Sequence, residues 1–277
     1  MRLGTRGSAL ALAQARWVAD RWDGPVEIVT ITTSGDRGAP LADKSQWVSE
    51  LERALLDGEI DVAVHSAKDV PAELADGLEL IAIPTREDPR DAICGAASLE
   101  QLVSGARVGT SSLRRAAQLR AAREDLELIE IRGNVDTRLR KLRDGECDAL
   151  VLAAAGLNRL GLPADGILDE LVPAAGQGAL ALEGKPGMMV SDALTDPDAT
   201  ACVHAERELT RALGASCNTS VGAHARALKS GELELRAWVG LPDGSAWLSD
   251  RVVGSAAGLG ARVAERMKLA GAEELLR

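Results

Sequence analysis

The chain has 277 residues, 46% of them hydrophobic, and a formal charge of −10 with no Phe, no Tyr and only five Trp. This predicts two or three domains with aliphatic cores, and the acidic surface with few stacking rings argues against nucleic-acid binding. No apolar run reaches about 18 residues, so no membrane span is predicted. Residues 1–8 do not resemble a signal peptide, and four separated cysteines indicate a reducing, cytoplasmic setting.

The first elements in chain order predict a unit in which helices and strands alternate. Residues 8–22 place apolar side chains on one helical face with Ser8 as N-cap, and residues 26–33 form a β-rich segment. A second amphipathic helix ends at Asp57 and Gly58, and a short buried strand follows.

Part of this unit recurs 87 residues later. The sequence DGEIDVAV at 57–64 is echoed by DGECDALV at 144–151, each after an amphipathic helix. The repeat predicts two similar α/β domains, although a common helix-to-strand turn would explain eight matched positions as well. The alternation predicts mostly parallel sheets, with ligand sites beyond the carboxyl ends of the strands and between domains.

Two polar or glycine-rich segments, 86–91 and 173–178, are predicted to cross between these domains. The first domain is therefore expected to be discontinuous, covering 1–86 plus 174–198, with the second domain over 87–173. From about residue 199 the pattern changes to a helix predicted over 202–213, alternating strands and a last helix. This predicts a small α+β domain over 199–277.

Basic residues are concentrated between positions 106 and 143. This segment contains ten basic residues, nine of them Arg, and five acidic residues. A solvated helical face is the preferred interpretation for Arg120, Arg123, Arg140 and Arg143. The loops at 110–115 and 132–138 each follow a strand and open a helix, which favours carboxylate or phosphate binding over simple capping. A P-loop, a dinucleotide fingerprint, HExxH and a nucleophile elbow are missing, so neither a nucleotide site nor a metal site is predicted. The sequence leaves a Ser/His/Asp catalytic triad open as an alternative, although no nucleophile elbow supports it.

A second concentration of chemical groups is HSAKDVP at 65–71, at the end of a buried strand. Ionisable groups in such a place often contact substrate. The alternative is that Lys68 and Asp69 simply pair with each other on a loop.

Seven motifs in order resemble the porphobilinogen deaminase (hydroxymethylbilane synthase) family. They are TRGS at 5–8, the strand and loop at 61–71, REDPRDA at 86–92, VGTSSLRR at 108–115, RGNVDTRL at 132–139, AGLNRLGL at 155–162 and AAGQGA at 174–179. The resemblance implies a transferase of tetrapyrrole and heme biosynthesis that joins four porphobilinogen molecules into hydroxymethylbilane with release of ammonia. It also implies a dipyrromethane cofactor made from substrate, a cysteine thioether, and three domains, the first two like type II periplasmic binding proteins.

The resemblance also implies which residues of this chain form the site. Asp69 and Lys68 are the implied catalytic residues. Asp69 is the carboxylate that stabilises the positive charge that spreads over the pyrrole nitrogen when ammonia leaves. Cys217 is implied as the thioether residue. The other implied cofactor ligands are Arg6, Ser8, Lys44, Ser66, Thr110, Ser111, Ser112, Arg114, Arg115, Arg132, Gly133 and Arg138. The implied substrate ligands are Arg6, Trp47, Arg132, Arg138, Arg159 and Gln177.

Two departures from the family pattern concern loops. The glycine-rich stretch before the second helix is shortened here to residues 43–47, where Lys44 and Trp47 take the places of a Lys and a Phe, and this loop is expected to be a mobile lid. The proline that often follows the cysteine is absent. A monomer without metal is expected. The alternative function is a non-catalytic, two-domain sensor of small anions, and a phosphotransferase is the second alternative.

Overall fold

Helices and strands alternate through the first two thirds of the chain. The structure is a computed structural model that describes residues 1–32, 46–216 and 219–276, with residues 46 and 47 described by backbone only. The strands are β1 Arg2–Arg6, β2 Glu27–Ile31, β3 Val62–Ser66, β4 Glu79–Ala82, β5 Asp91–Cys94, β6 Arg107–Gly109, β7 Glu127–Ile129, β8 Ala149–Ala153, β9 Gly166–Leu168, β10 Leu180–Gly184, β11 Val221–Ala227, β12 Leu233–Gly240 and β13 Trp247–Gly254. The helices are α1 Ala9–Ala19, α2 Gln46–Leu56, α3 Leu113–Ala122, α4 Val135–Arg143, α5 Ala154–Arg159, α6 Pro197–Ala212, α7 Leu259–Leu269 and α8 Ala272–Leu275.

Two five-stranded sheets share one strand arrangement. The first has the order β2-β1-β3-β10-β4 and the second β7-β6-β8-β5-β9. In each, three parallel strands are followed by an antiparallel strand, β10 against β3 and β5 against β8. We call the first sheet with α1 and α2 the first unit, and the second sheet with α3, α4 and α5 the second unit.

Side chains repeat along with the topology. In the first unit Arg2 donates from Nη2 to Asp61 at 2.6 Å and from Nη1 to the carbonyl of Gly58. In the second unit Arg107 donates from Nη2 to Asp148 at 2.7 Å and to the carbonyl of Gly145. Gly58 and Gly145 have φ of 71° and 76°, the left-handed conformation that glycine adopts after a helix. These matched contacts and strand orders favour a duplicated unit over a common turn.

The chain passes twice between these units. Residues 83–90 lead from β4 to β5, and residues 169–179 lead from β9 to β10. Each passage therefore delivers the antiparallel strand of the sheet that it enters. The two passages run side by side, since the amide of Glu87 donates to the carbonyl of Gly178 at 3.1 Å.

A third unit follows, made of the antiparallel sheet β11-β12-β13 with helices α6, α7 and α8. Its aliphatic core lies between the sheet and the helices. Helix α6 begins earlier than the predicted residue 202, because Asp196 caps it by accepting from the amide of Ala199 and Pro197 occupies the first turn. Trp238 on β12 packs against Ala117 of α3, so the third unit rests on the second.

The predicted α/β class, with two similar units and a small third sheet, is confirmed by this architecture. Cores of all three units are dominated by aliphatic side chains, as the composition requires. Among the described residues, no helix combines the length and the apolar character that crossing a membrane needs.

Candidate active site

The predicted site residues lie where parallel strands end. Strand β1 ends at Arg6, β3 ends at Ser66 and leads into the 3₁₀ turn Ala67–Asp69, and β6 ends just before Thr110. Parallel strands of one sheet present their carboxyl ends at one edge, so each unit gathers its polar loops on one side. The two units place these edges around a shared cleft.

On the first unit's side, a cavity of about 80 Å³ is lined by polar side chains around Asp69. Ser8 caps α1 as predicted, its hydroxyl accepting from the amide of Ala11 at 3.2 Å. The buried Gln14 donates to the hydroxyl of Ser66 at 2.8 Å, which fixes that side chain. The lining includes Arg6, Ser8, Gln14, His65, Ser66 and Asp69.

A larger cavity of about 310 Å³ lies where the three units meet. Lys68 and Asp69 come from the first unit, Ser112 and Arg114 from the second. Helix α6 and the loop after it supply the third wall, through Arg207, Thr210, Ala215, Ser216 and Thr219. Asp69 lines both cavities, so the two are parts of one cleft.

A buried charge network stands behind Ser112. Asp91, fully buried on β5, accepts from Arg114 Nη1 at 2.7 Å and from Arg115 Nε at 2.8 Å. Gln177 donates to the same carboxylate at 2.8 Å and to the carbonyl of Pro89. Burial alone would raise the pKa of Asp91, but the two guanidinium groups outweigh it and hold that pKa well below its usual range.

This network fixes the contacts of three predicted ligands, Arg114, Arg115 and Gln177. Arg114 and Arg115 are both buried and share one carboxylate, so together with Asp91 they keep one net positive charge beside the cleft. Arg114 Nε is buried and has no acceptor among the described residues. The amide of Gln177 is engaged by Asp91 and Pro89, so its predicted contact with substrate stays a prediction.

Arg138 on α4 lies within electrostatic range of Asp69. Its pKa is lowered to about 10, first by burial and then by repulsion from Arg115 and Arg132, while the carboxylate of Asp69 opposes this shift. Arg138 also donates from Nε to the carbonyl of Gly133 at 2.6 Å, which orients the guanidinium. The electrostatic coupling with Asp69 joins the loop of the second unit to the catalytic candidate of the first.

Other predicted residues lie around this centre. Arg132 is exposed and pairs with Glu130 at 2.6 Å. Arg159 donates to the carbonyl of Gly178 at 2.7 Å, and burial lowers its pKa to about 10.

The hydroxyl of the buried Thr110 accepts from the amide of Ser112, whose own hydroxyl caps α3. Ser111 is half-buried beside them, and Gly133 has φ of 120°.

Three predicted residues are not placed by the structure. Lys44 and Cys217 lie outside the described residues, and so does the side chain of Trp47. Ser216 and Thr219, on either side of the undescribed pair 217–218, line the larger cavity.

Sequence reasoning missed Asp91, Gln14 and Arg207. Asp91 lies inside a motif that was interpreted as a linker, and Gln14 is a polar residue on the predicted apolar side of α1. Nothing near Arg207 in the sequence points to the cleft.

The chemistry of the cleft suits a small molecule with several carboxylates. Its lining includes the donors Lys68, Ser112 and Arg114, with Asp69 as the acid among them. The guanidinium of Arg138 lies within electrostatic range of that acid. No group of three or more His, Cys, Asp or Glu side chains within the described ranges is placed to hold a metal ion.

Comparisons with known proteins match the whole length of the chain. Residues 1–189 match the family model described as porphobilinogen deaminase, dipyromethane cofactor binding domain, and residues 200–269 match its C-terminal domain. The chain is 46% identical to the porphobilinogen deaminase of Deinococcus deserti, with 99% of this chain and 97% of the relative covered. It is 47% identical to that of Thermus thermophilus, with 91% and 89% covered.

Solved structures similar to the chain include two from periplasmic proteins. One is the periplasmic VFT2 domain of BvgS from Bordetella pertussis, at 17% identity and a TM-score of 0.39, covering 68% of this chain and 81% of that one. Another is a TRAP periplasmic solute binding protein from Ralstonia eutropha, at 13% identity and a TM-score of 0.39, covering 66% and 68%.

Proposed function

Because the chain belongs to the porphobilinogen deaminase family, we propose that the cleft between its units is the site where porphobilinogen is condensed. The chain is a transferase, a hydroxymethylbilane synthase, which joins four porphobilinogen molecules head to tail and releases ammonia at each step. One observation carries the assignment of the site. A single cavity gathers Asp69 and Lys68, the Arg114 loop, and the residues that flank Cys217.

The donor set fits the dipyrromethane cofactor of the family. Two pyrrole rings bring four carboxylates. Beside the cleft, the Arg114–Arg115–Asp91 network keeps a net positive charge, and the buried Nε of Arg114 is able to donate. The guanidinium of Arg138 adds a further positive charge near Asp69. When bound, the cofactor supplies the pyrrole carbon to which the first substrate is joined. We assign its binding to Lys68, Ser112, Arg114, Arg115 and Arg138, and its thioether to Cys217.

Asp69 is the proposed catalytic carboxylate. When ammonia leaves porphobilinogen, positive charge spreads over the ring nitrogen, and a fixed carboxylate at that N–H stabilises the charge. The 3₁₀ turn Ala67–Asp69 holds the residue directly after a buried strand, which limits its movement. Arg138 interacts electrostatically with Asp69, so a cation stands near the proposed catalytic carboxylate.

The remaining predicted ligands are proposed for the cofactor, the substrate and the growing chain. Each added pyrrole brings two carboxylates, so more cations are needed as the product lengthens. Arg132 is exposed and lies within electrostatic range of Arg138, which supports a role with incoming units. The other proposed ligands are Arg6, Ser8, Lys44, Trp47, Ser66, Thr110, Ser111, Gly133, Arg159 and Gln177.

We also propose three domains with the limits 1–86 plus 174–198, 87–173 and 199–277. The separate sheets support this division, since β10 lies in the first sheet although it follows the second along the chain. A monomer in the cytoplasm, without membrane or nucleic-acid partners, completes the proposal. The described cysteines Cys94, Cys147 and Cys202 are buried free thiols, which supports a reducing compartment.

The mass of the intact protein tests the site. We expect purified wild-type protein to exceed the polypeptide mass by two pyrrole units, and Cys217→Ser to lose that excess. Cys202→Ser, a buried thiol on α6, is the control and should keep it. A wild-type protein with the bare polypeptide mass would instead favour the non-catalytic anion sensor.

A further inference from the structure

We propose that Arg207 is a positioning residue that fastens the Asp69 loop to the third unit. Arg207 lies on α6 and reaches across to the backbone that follows Asp69. Its Nη1 donates to the carbonyl of Val70 at 3.0 Å, and its Nη2 donates to the carbonyl of Pro71 at 2.7 Å and of Ala72 at 3.3 Å. One guanidinium therefore spans three consecutive peptide groups.

The Asp69 loop is fixed at its other end by the second passage between the units. The amide of Ala67 donates to the carbonyl of Ala179 at 3.0 Å. Gly176, with φ of 73°, lies so close that a Cβ there would stand 2.8 Å from the carbonyl carbon of Ala67. Asp69 consequently lies between two anchored points, one on the β10 side and one on Arg207.

The chemistry of arginine suits this task. A guanidinium has several N–H donors in a rigid plane, whereas an ammonium is a point charge on a flexible stem. Arg207 is half-buried and lines the larger cavity together with Lys68 and Asp69. Its attachment to peptide carbonyls gives it a geometric role that is separate from binding a carboxylate.

This inference rests on the proposed function, because the cost of losing Arg207 is displacement of the catalytic carboxylate. A shift of about 1 Å at a catalytic group costs about 100-fold in rate. We therefore expect Arg207→Gln to lower kcat by about 10- to 100-fold with KM within about threefold of wild type. Hydrogen exchange of the backbone over residues 67–75 should rise about tenfold, since charge-assisted bonds to the loop are lost.

Arg207→Lys separates positioning from carboxylate binding. Lysine keeps the positive charge but not the planar fork, so positioning predicts that it restores neither kcat nor exchange protection. If Arg207 binds substrate or cofactor carboxylates instead, Arg207→Lys should recover most activity, and Arg207→Gln should raise KM or reduce the cofactor mass. Arg211→Gln, an exposed position one turn along the same helix, is the control and should behave as wild type.

The outcomes are distinguishable from failure of the function itself. Wild-type protein without turnover of porphobilinogen would remove the proposed function. Normal wild-type turnover with unchanged kcat and exchange in Arg207→Gln would overturn only the positioning role. Should Arg207→Gln fail to fold, Arg207→Lys decides alone, because slow turnover with fast exchange over residues 67–75 supports the proposal and wild-type values of both contradict it.

Discussion

Replacing Asp91 with Asn should destabilise the protein strongly. Asp91 is fully buried, and its carboxylate accepts from Arg114, Arg115 and Gln177 at 2.7 to 2.8 Å. The variant keeps the shape of the side chain but removes its charge. Two buried guanidinium groups would then face each other with no carboxylate between them.

The magnitude follows from this burial. Removing one partner of a buried ion pair costs about 3–5 kcal/mol. Asp148 provides a matched control, because it pairs with Arg107 through the same kind of contact but its side chain is 47% exposed. Exposed pairs contribute at most about 1 kcal/mol, so Asp148→Asn should cost far less.

Urea unfolding followed by far-ultraviolet circular dichroism measures both variants. The expected result is a loss of unfolding free energy at least about three times larger for Asp91→Asn than for Asp148→Asn. Equal losses would refute the reasoning, because they would mean that the buried network adds no more stability than a surface pair.

Three further predictions concern a tight turn, a half-buried histidine and the first turn of α2. Gly176→Ala should lower stability more than Gly187→Ala, since both glycines have φ above 70° but only Gly176 abuts other backbone; equal unfolding midpoints would contradict this. Burial lowers the pKa of His224 to about 4. The histidine therefore binds a proton more readily in the unfolded chain than in the folded protein. The free energy of unfolding should consequently fall by about 2 kcal/mol from pH 7.5 to pH 5. His224→Gln should flatten that dependence, and an unchanged slope would count against it. Trp47→Phe should retain near wild-type turnover of porphobilinogen, and a large loss would show that the indole is required.

The fold could be predicted from the sequence where local patterns determine it. The DGE turns at Gly58 and Gly145 and the cap Ser8 are local signals, and each is found at its predicted helix end. The repeated helix–turn–strand segments predicted two similar units, and the two sheets have the same strand arrangement. The start of α6 was predicted too late, because apolar periodicity was followed instead of the capping residue Asp196.

The site could be predicted only in part, because its key contacts join distant segments. The loops of Arg114 and Arg138 carry recognisable anion-binding patterns. The partner of Arg114 is Asp91, which becomes its neighbour only because β5 enters the second sheet as an antiparallel strand. Arg207 contacts peptide groups more than 130 residues earlier in the chain, and carbonyl oxygens leave no trace in a sequence.

Glu206 illustrates the same limit. It is fully buried on α6 and accepts from Arg86 at 2.6 Å, from the amide of Gly176 at 2.7 Å and from the amide of Ala225 at 2.7 Å. One carboxylate thus joins both passages between the units to the third sheet. In the sequence it is one charged residue in an ordinary amphipathic helix.

The turnover of an Asp69→Ala variant tests the central claim most directly. Porphobilinogen consumption should be measured per molecule that carries the two-pyrrole mass, with circular dichroism to establish folding and the exposed Asp76→Ala as control. The expected result is a loss of at least about 100-fold for Asp69→Ala and wild-type turnover for Asp76→Ala. Turnover close to normal in folded Asp69→Ala would contradict the role of this carboxylate in the cleft.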